Sequence, residues 1–145
     1  MKRILFFDDE PFITNLLIDS LRRNFGWNES NEREITFVSS SKELFDEIKS
    51  ETTYNLFVMD ILAPIYQIEQ ASDFSKKEIE AMQDGENTGV VFAGKIRQME
   101  KYKNVPILFL SARRQPAKML EKTAYIEKPA FAIEVSEKME ELIKQ

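Results

Sequence analysis

The sequence predicts an α/β fold, a doubly wound, five-stranded parallel sheet with helices on both faces. Two observations carry that expectation. Five short apolar runs alternate with segments whose apolar residues recur at helical spacing, which is the rhythm of βαβ crossovers. The runs are also apolar at consecutive rather than alternate positions, as strands covered on both faces must be.

Arg3 to Phe7 is the first strand and runs into Asp8, Asp9 and Glu10. Pro11 suits the first turn of a helix, where its missing N–H is not needed. Ile13, Leu16, Leu17, Leu21 and Phe25 give that helix one apolar stripe, and Gly26 stops it. Trp27 to Glu34 reads as a polar loop before the second strand, Ile35 to Val38. Ser40 and Glu43 make a capping box for a second helix buried through Leu44, Phe45 and Ile48. Tyr54 to Met59 is the third strand and ends at Asp60. Gly89 opens a third helix with Val90, Val91, Ala93, Ile96 and Met99 on its apolar side. Val105 to Leu110 is the fourth strand, ending at Ser111, and Pro116 to Lys122 reads as a short fourth helix. Ala124 to Ile126 is the fifth strand, followed by Glu127, Lys128 and Pro129. Phe131, Val135, Met139, Leu142 and Ile143 mark the last helix.

Residues 63–88 break the rhythm, with 26 residues between the third strand and its helix. Such connections usually take about 2 to 6 residues. Ser75 and Glu78 make a second capping box, Ile79 and Met82 share a helical face, and Asp84-Gly85 is a turn signal. The stretch reads as a loop, a short helix and a second loop, inserted in a single domain spanning residues 1–145.

Composition bounds the function. The 145 residues, 43% hydrophobic and 31% charged, suit one globular domain. No apolar stretch reaches the roughly 18 to 20 residues of a membrane span. The apolar run near the N-terminus is cut short by Asp8, Asp9 and Glu10, too early for a secretion signal. A cytoplasmic protein with no membrane insertion is expected. There is no Cys and no His, which excludes disulfides, thiol nucleophiles, zinc–thiolate sites and imidazole-based catalysis. A net charge of −5 repels a phosphate backbone, so direct nucleic-acid binding is not expected.

In an open doubly wound sheet, ligands bind beyond the carboxyl ends of the strands. That edge collects Asp8 and Asp9 from the first strand, Asp60 from the third, Ser111 from the fourth and Lys128 after the fifth. Asp9 and Asp60, with Asp8 nearby, suit a hard divalent cation bound through oxygen. Lys128 can neutralise phosphoryl charge or pair with Asp60, and Ser111 can donate to a phosphoryl oxygen. Taken singly, each is an ordinary loop or surface residue. Their convergence on one edge points to phosphoryl transfer.

The motifs carry a resemblance that covers nearly the whole chain. FFDDEP, FVMDILAP, GVVFAGKIR, FLSA and YIEKP, in this order and spacing, resemble the signature segments of response regulator receiver domains of two-component signalling, the CheY-like family. The resemblance implies a flavodoxin-like strand order of 2-1-3-4-5. It implies that Asp60 accepts a phosphoryl group from a phosphohistidine on a histidine kinase or phosphotransfer protein. Asp8, Asp9, Asp60 and the carbonyl of Leu62 would hold Mg²⁺, with Asp9 a direct ligand. Lys128 and Ser111 would contact the phosphoryl group, and Ser111 with Tyr125 would form the switch read by a downstream protein target. The Lys128–Pro129 peptide bond is expected to be cis. The activity implied is that of a phosphoacceptor, not of an enzyme acting on a separate substrate.

Three features depart from that family. The 63–88 stretch is longer and reads as a lid, a docking surface, a self-association element or a tolerated surface insertion. Its Asp84 to Gly89 run resembles a calcium loop but has Lys95 at the twelfth position, so that reading is discarded. The Ser111-to-Lys128 connection is short, with a reduced fourth helix. The chain ends after the last helix, so a stand-alone receiver is expected. Two other readings compete. One is a phosphorylation-independent pseudo-receiver acting as an interaction module. The other is an aspartyl phosphatase, disfavoured because its two aspartates usually stand two apart and here are adjacent.

Overall fold

The computed structural model describes residues 1–61, 74–83, 87–116 and 119–144. Five strands, β1 (Lys2–Phe7), β2 (Arg33–Val38), β3 (Leu56–Met59), β4 (Ile107–Ser111) and β5 (Thr123–Glu127), pair in parallel in the order β2-β1-β3-β4-β5. Among the described residues five α-helices accompany them: α1 (Pro11–Asn24), α2 (Ser41–Lys49), α3 (Lys76–Met82), α4 (Thr88–Gln98) and α5 (Ala132–Ile143). The doubly wound sheet and its order match the expectation.

Alternate side chains of each strand enter opposite layers. Leu5, Phe7, Phe57, Met59, Ile107 and Phe109 face a core closed by α2, α3 and α4, which includes Leu44, Phe45, Met82, Phe92 and Ile96. Ile4, Phe6, Leu56, Val58, Leu108 and Leu110 face the opposite core, closed by α1 and α5 through Ile18, Leu21, Val135 and Met139 and by Trp27 in the loop after α1. The registers Ile4↔Leu56, Phe57↔Ile107 and Ile107↔Thr123 bring the strand ends to one level. Among the described residues, no helix is long and apolar enough to cross a membrane.

Helix boundaries follow the local chemistry. The Ser40 hydroxyl accepts from the Glu43 N–H and starts α2. Ser75 and Glu78 form a reciprocal capping box at α3, as their spacing predicts. Gly26, with φ of 77°, turns the chain out of α1 in a conformation a side chain would strain.

Several expectations are corrected. The α1 stripe is rotated: Thr14, Ile18 and Leu21 are buried, while Ile13 and Leu16 are 63% and 57% exposed. The periodicity followed the bulky apolar residues past a threonine and an isoleucine that face the sheet. Phe131, 81% exposed, precedes α5 rather than packing under it. Phe92, absent from the expected apolar side of α4, is fully buried. Among the described residues there is no helix over Pro116 to Lys122. There the Arg97 guanidinium donates to the Glu121 and Lys122 carbonyls at 2.7 and 3.0 Å, and the Lys122 carbonyl also accepts from the Ile107 N–H at 3.1 Å, which ties the approach to β5 to α4 and β4. Lys122 itself turns through a left-handed φ of 55° into β5.

Between β3 and α4 the described part of the 63–88 stretch is anchored in the core. Phe74 stacks on Phe92 at 5.6 Å and meets Phe45 edge-on at 5.4 Å, and Met82 is fully buried. Residues 62–73 and 84–86, including Leu62 and the expected Asp84-Gly85 turn, lie outside the described residues.

Candidate functional site

Backbone pairing carries the strand frame one residue past the ends of β1, β3 and β5. The Asp8 N–H donates to the Val38 carbonyl at 3.3 Å, Asp60 to Phe7 at 3.0 Å and Lys128 to Ser111 at 2.8 Å. These bonds fix the first residue beyond each strand before its side chain does anything. The three side chains emerge together at the carboxyl edge, where the order reverses between β1 and β3.

The Lys128 ammonium lies between two carboxylates. Its Nζ donates to Asp8 Oδ2 at 2.7 Å and to Asp60 Oδ2 at 3.4 Å. Asp8 and Asp60 are only 4% and 8% exposed. Burial alone would lower the Lys128 pKa, but the hydrogen bond it donates to Asp8 and the charges of Asp60 and Asp8 outweigh it, and the pKa is raised. Lys128 is therefore held as a cation.

Asp9 completes the cluster: one carboxylate oxygen from each of Asp8, Asp9 and Asp60 lies within 4.8 Å of the others. Burial, then the negative charges of Asp8 and Asp60, push the Asp9 pKa up to about 6. Among these four side chains, three carboxylates against one ammonium leave negative charge in excess. A compact set of oxygen donors with excess negative charge fits a hard dication such as Mg²⁺.

Ser111 is fully buried, and its hydroxyl accepts from the Arg113 N–H at 3.3 Å. Its carbonyl accepts from Lys128 and, more weakly, from the Tyr125 hydroxyl at 3.4 Å. Tyr125 is half-buried, and burial followed by the Glu127 charge raises its pKa. Thus Asp8, Asp9, Asp60 and Lys128 form one cluster, and Ser111 and Tyr125 adjoin it through the Ser111 backbone. The Lys128–Pro129 peptide bond is cis. Leu62 lies outside the described residues.

Two residues near the cluster were not legible as part of it. Thr14 in α1 donates from Oγ1 to Asp8 Oδ2 at 2.8 Å, within a buried environment. Its sequence signal is a lone polar side chain where the rotated helical face turns inward. Gly89 abuts the aspartate backbone: its N–H donates to the Ile61 carbonyl at 2.8 Å, and a Cβ there would lie 2.0 Å from the Asp60 carbonyl oxygen. On the flank, Phe12, Ile13 and Leu16 of α1 are exposed, next to a groove lined by Ile13, Thr14, Leu17, Leu110 and Lys128.

No family model and no curated protein matches the chain. Solved structures do. Vibrio cholerae chemotaxis protein CheY4 is similar at 16% identity and a TM-score of 0.69, covering 98% of each chain. A CheY-like response regulator receiver domain protein from Methanospirillum hungatei shares 21% identity at a TM-score of 0.66, over 99% of this chain and 94% of its own. The HemR receiver domain from Leptospira biflexa matches at 21% identity and a TM-score of 0.66, over 100% of this chain and 96% of its own. The chain therefore has the fold of CheY-like response regulator receiver domains.

Proposed function

We propose that residues 1–145 form a cytoplasmic receiver domain that takes a phosphoryl group onto Asp60 from a phosphohistidine on a partner protein. The observation that carries this reading is the Lys128 ammonium between the Asp8 and Asp60 carboxylates, at the ligand-binding edge of a receiver-type sheet. An Asp60 carboxylate oxygen forms the new P–O bond as the P–N bond to the donor imidazole breaks. The electron pair stays on that imidazole, which takes up a proton. Lys128 offsets the charge of the transferred group, and the Ser111 hydroxyl donates to it once it is attached. Such transfer depends mainly on placing charge in line, which needs no His or Cys in this chain.

Asp8, Asp9 and Asp60, with the Leu62 carbonyl, would hold Mg²⁺, whose role is to neutralise the phosphoryl oxygens. Tyr125, beside Ser111, would carry the change at the site to a downstream target protein. The exposed apolar face of Phe12, Ile13 and Leu16, next to Asp8 and Asp9 in sequence, supports contact with a protein phosphodonor. The protein is then a phosphoacceptor and not a catalyst acting on a separate substrate.

The test is intact-mass spectrometry after incubation with Mg²⁺ and acetyl phosphate. Wild-type protein should gain one phosphoryl group, and both Asp60→Asn and EDTA should abolish the gain. A gain that persists in Asp60→Asn would move the acceptor elsewhere. No gain in wild type would favour an interaction module that does not use phosphorylation.

Proton and metal should compete at Asp9. A carboxyl held at about 6 binds its proton more tightly in the native than in the unfolded protein. Native protein then carries the extra proton between the ordinary value of 3.8 and about 6, so Asp9 makes metal-free stability fall as pH rises through that window. Asp9→Asn should remove this part of the slope in thermal melts with EDTA. Mg²⁺ should raise the wild-type melting temperature above about pH 7 and have little effect below about pH 5, where Asp9 is protonated.

A further inference from the structure

Donors from three parts of the chain converge on Asp8. Its Oδ1 accepts from the Glu10 N–H at 2.9 Å, and its Oδ2 accepts from the Thr14 hydroxyl at 2.8 Å and from Lys128 at 2.7 Å. Thr14 lies within α1, on the buried face that also carries Ile18 and Leu21. A hydroxyl in such a place is costly unless it is hydrogen-bonded. Here its acceptor is a carboxylate of the candidate cation site.

The terminal torsion of an aspartate is broad, so an unrestrained carboxylate rotates easily. The Glu10 N–H and the Thr14 hydroxyl instead hold its two oxygens from the start and the body of one helix. Lys128 then shares Oδ2 with Thr14 and sits closer to Asp8 than to Asp60, at 2.7 against 3.4 Å. We propose that Thr14 is a positioning residue for divalent-cation binding: it fixes the rotation of the Asp8 carboxylate and, through Oδ2, the place of Lys128. The inference rests on the cation-site part of the reading above. It adds a residue outside the strand ends and gives α1 a part in the site beyond contact with a partner.

The test is calorimetric titration of the unphosphorylated full chain with Mg²⁺, at a pH where Asp9 is ionised. Thr14→Val removes the hydroxyl at nearly constant volume and should weaken Mg²⁺ binding by about tenfold, the lower end of effects seen for residues that orient metal ligands. Thr14→Ser keeps the hydroxyl and should bind within about twofold of wild type. Near-ultraviolet circular dichroism, which reports the buried Trp27, checks that each variant is folded. If Thr14→Val does not fold, Thr14→Ala takes its place in the same titration with the same expected loss. Wild-type affinity in the hydroxyl-free variant overturns the inference. So does Thr14→Ser as weak as Thr14→Val, since packing rather than the hydroxyl would then be responsible. Asp9→Asn separates the two levels. If it abolishes Mg²⁺ binding while loss of the Thr14 hydroxyl has no effect, only the positioning role fails. If Asp9→Asn also binds like wild type, the cation site itself fails.

Discussion

Gly89→Ala is expected to lower the stability of the protein by about 3 kcal/mol, the upper end for forcing extra volume into a packed interior. The added Cβ would lie 2.0 Å from the Asp60 carbonyl oxygen and 2.7 Å from the Ile61 Cα. Both are backbone atoms at the end of a central strand, so no flexible side chain can yield. Helix propensity acts in the opposite sense and favours alanine by about 1 kcal/mol at most. Sterics should win by a clear margin. Gly94 provides the comparison within the same helix, because nothing lies within 4 Å of a Cβ placed there. Gly94→Ala should therefore stabilise by about 0.5 to 1 kcal/mol. Urea unfolding of the two variants reads opposite signs from the same chemical change. The Gly89 variant should also take up phosphate poorly when still folded, since relief of the clash displaces the Asp60 backbone.

Phe74→Ala should cost about 3 kcal/mol, at the lower end for truncating a buried phenylalanine. The Phe74 ring is 7% exposed, stacks on Phe92 and meets Phe45 at its edge. Lys95 Nζ lies 5.6 Å from its centroid and pairs with Glu78 at 3.0 Å, tying α3 to α4 by charge as well as by packing. Phe131→Ala, at an exposed position, should change stability by less than about 0.5 kcal/mol. A neutral Phe74→Ala would mean that this part of the 63–88 stretch is a detachable flap. The expected loss would mean that it is part of the core, so a tolerated surface insertion does not describe residues 74–83.

The strands are legible in the sequence because burial on both faces leaves unbroken apolar runs, such as Ile4 to Phe7 and Leu56 to Met59. The polar edge is legible for the same reason, since each run stops where the chain leaves the sheet. Helix faces are less so. In α1 the bulky Ile13 and Leu16 outweigh Thr14 in any hydrophobic pattern, yet Thr14 turns inward because a carboxylate accepts its hydroxyl there. Between β4 and β5 the sequence carries enough residues for a helical turn. The approach to β5 is instead tied down by Arg97, distant in sequence, which donates to the Glu121 and Lys122 carbonyls. Contacts of this kind join residues with no local pattern in common, so periodicity does not register them.

The division of the core between two layers has a consequence for synthesis. The fully buried residues of the α2–α3–α4 layer are all present once Phe109 has been made. The α1–α5 layer waits for Val135, Met139 and Leu142, and for two ties that span more than a hundred residues, from Trp27 to Ser136 and from Arg33 to Glu140. Lys128 also comes late. A nascent chain halted before β5 therefore holds the buried residues of one layer, an uncovered Trp27 and an acidic edge without its lysine. Such a chain would be a substrate for chaperones and proteases, and the cluster of Asp8, Asp9, Asp60 and Lys128 would be among the last parts completed on the ribosome.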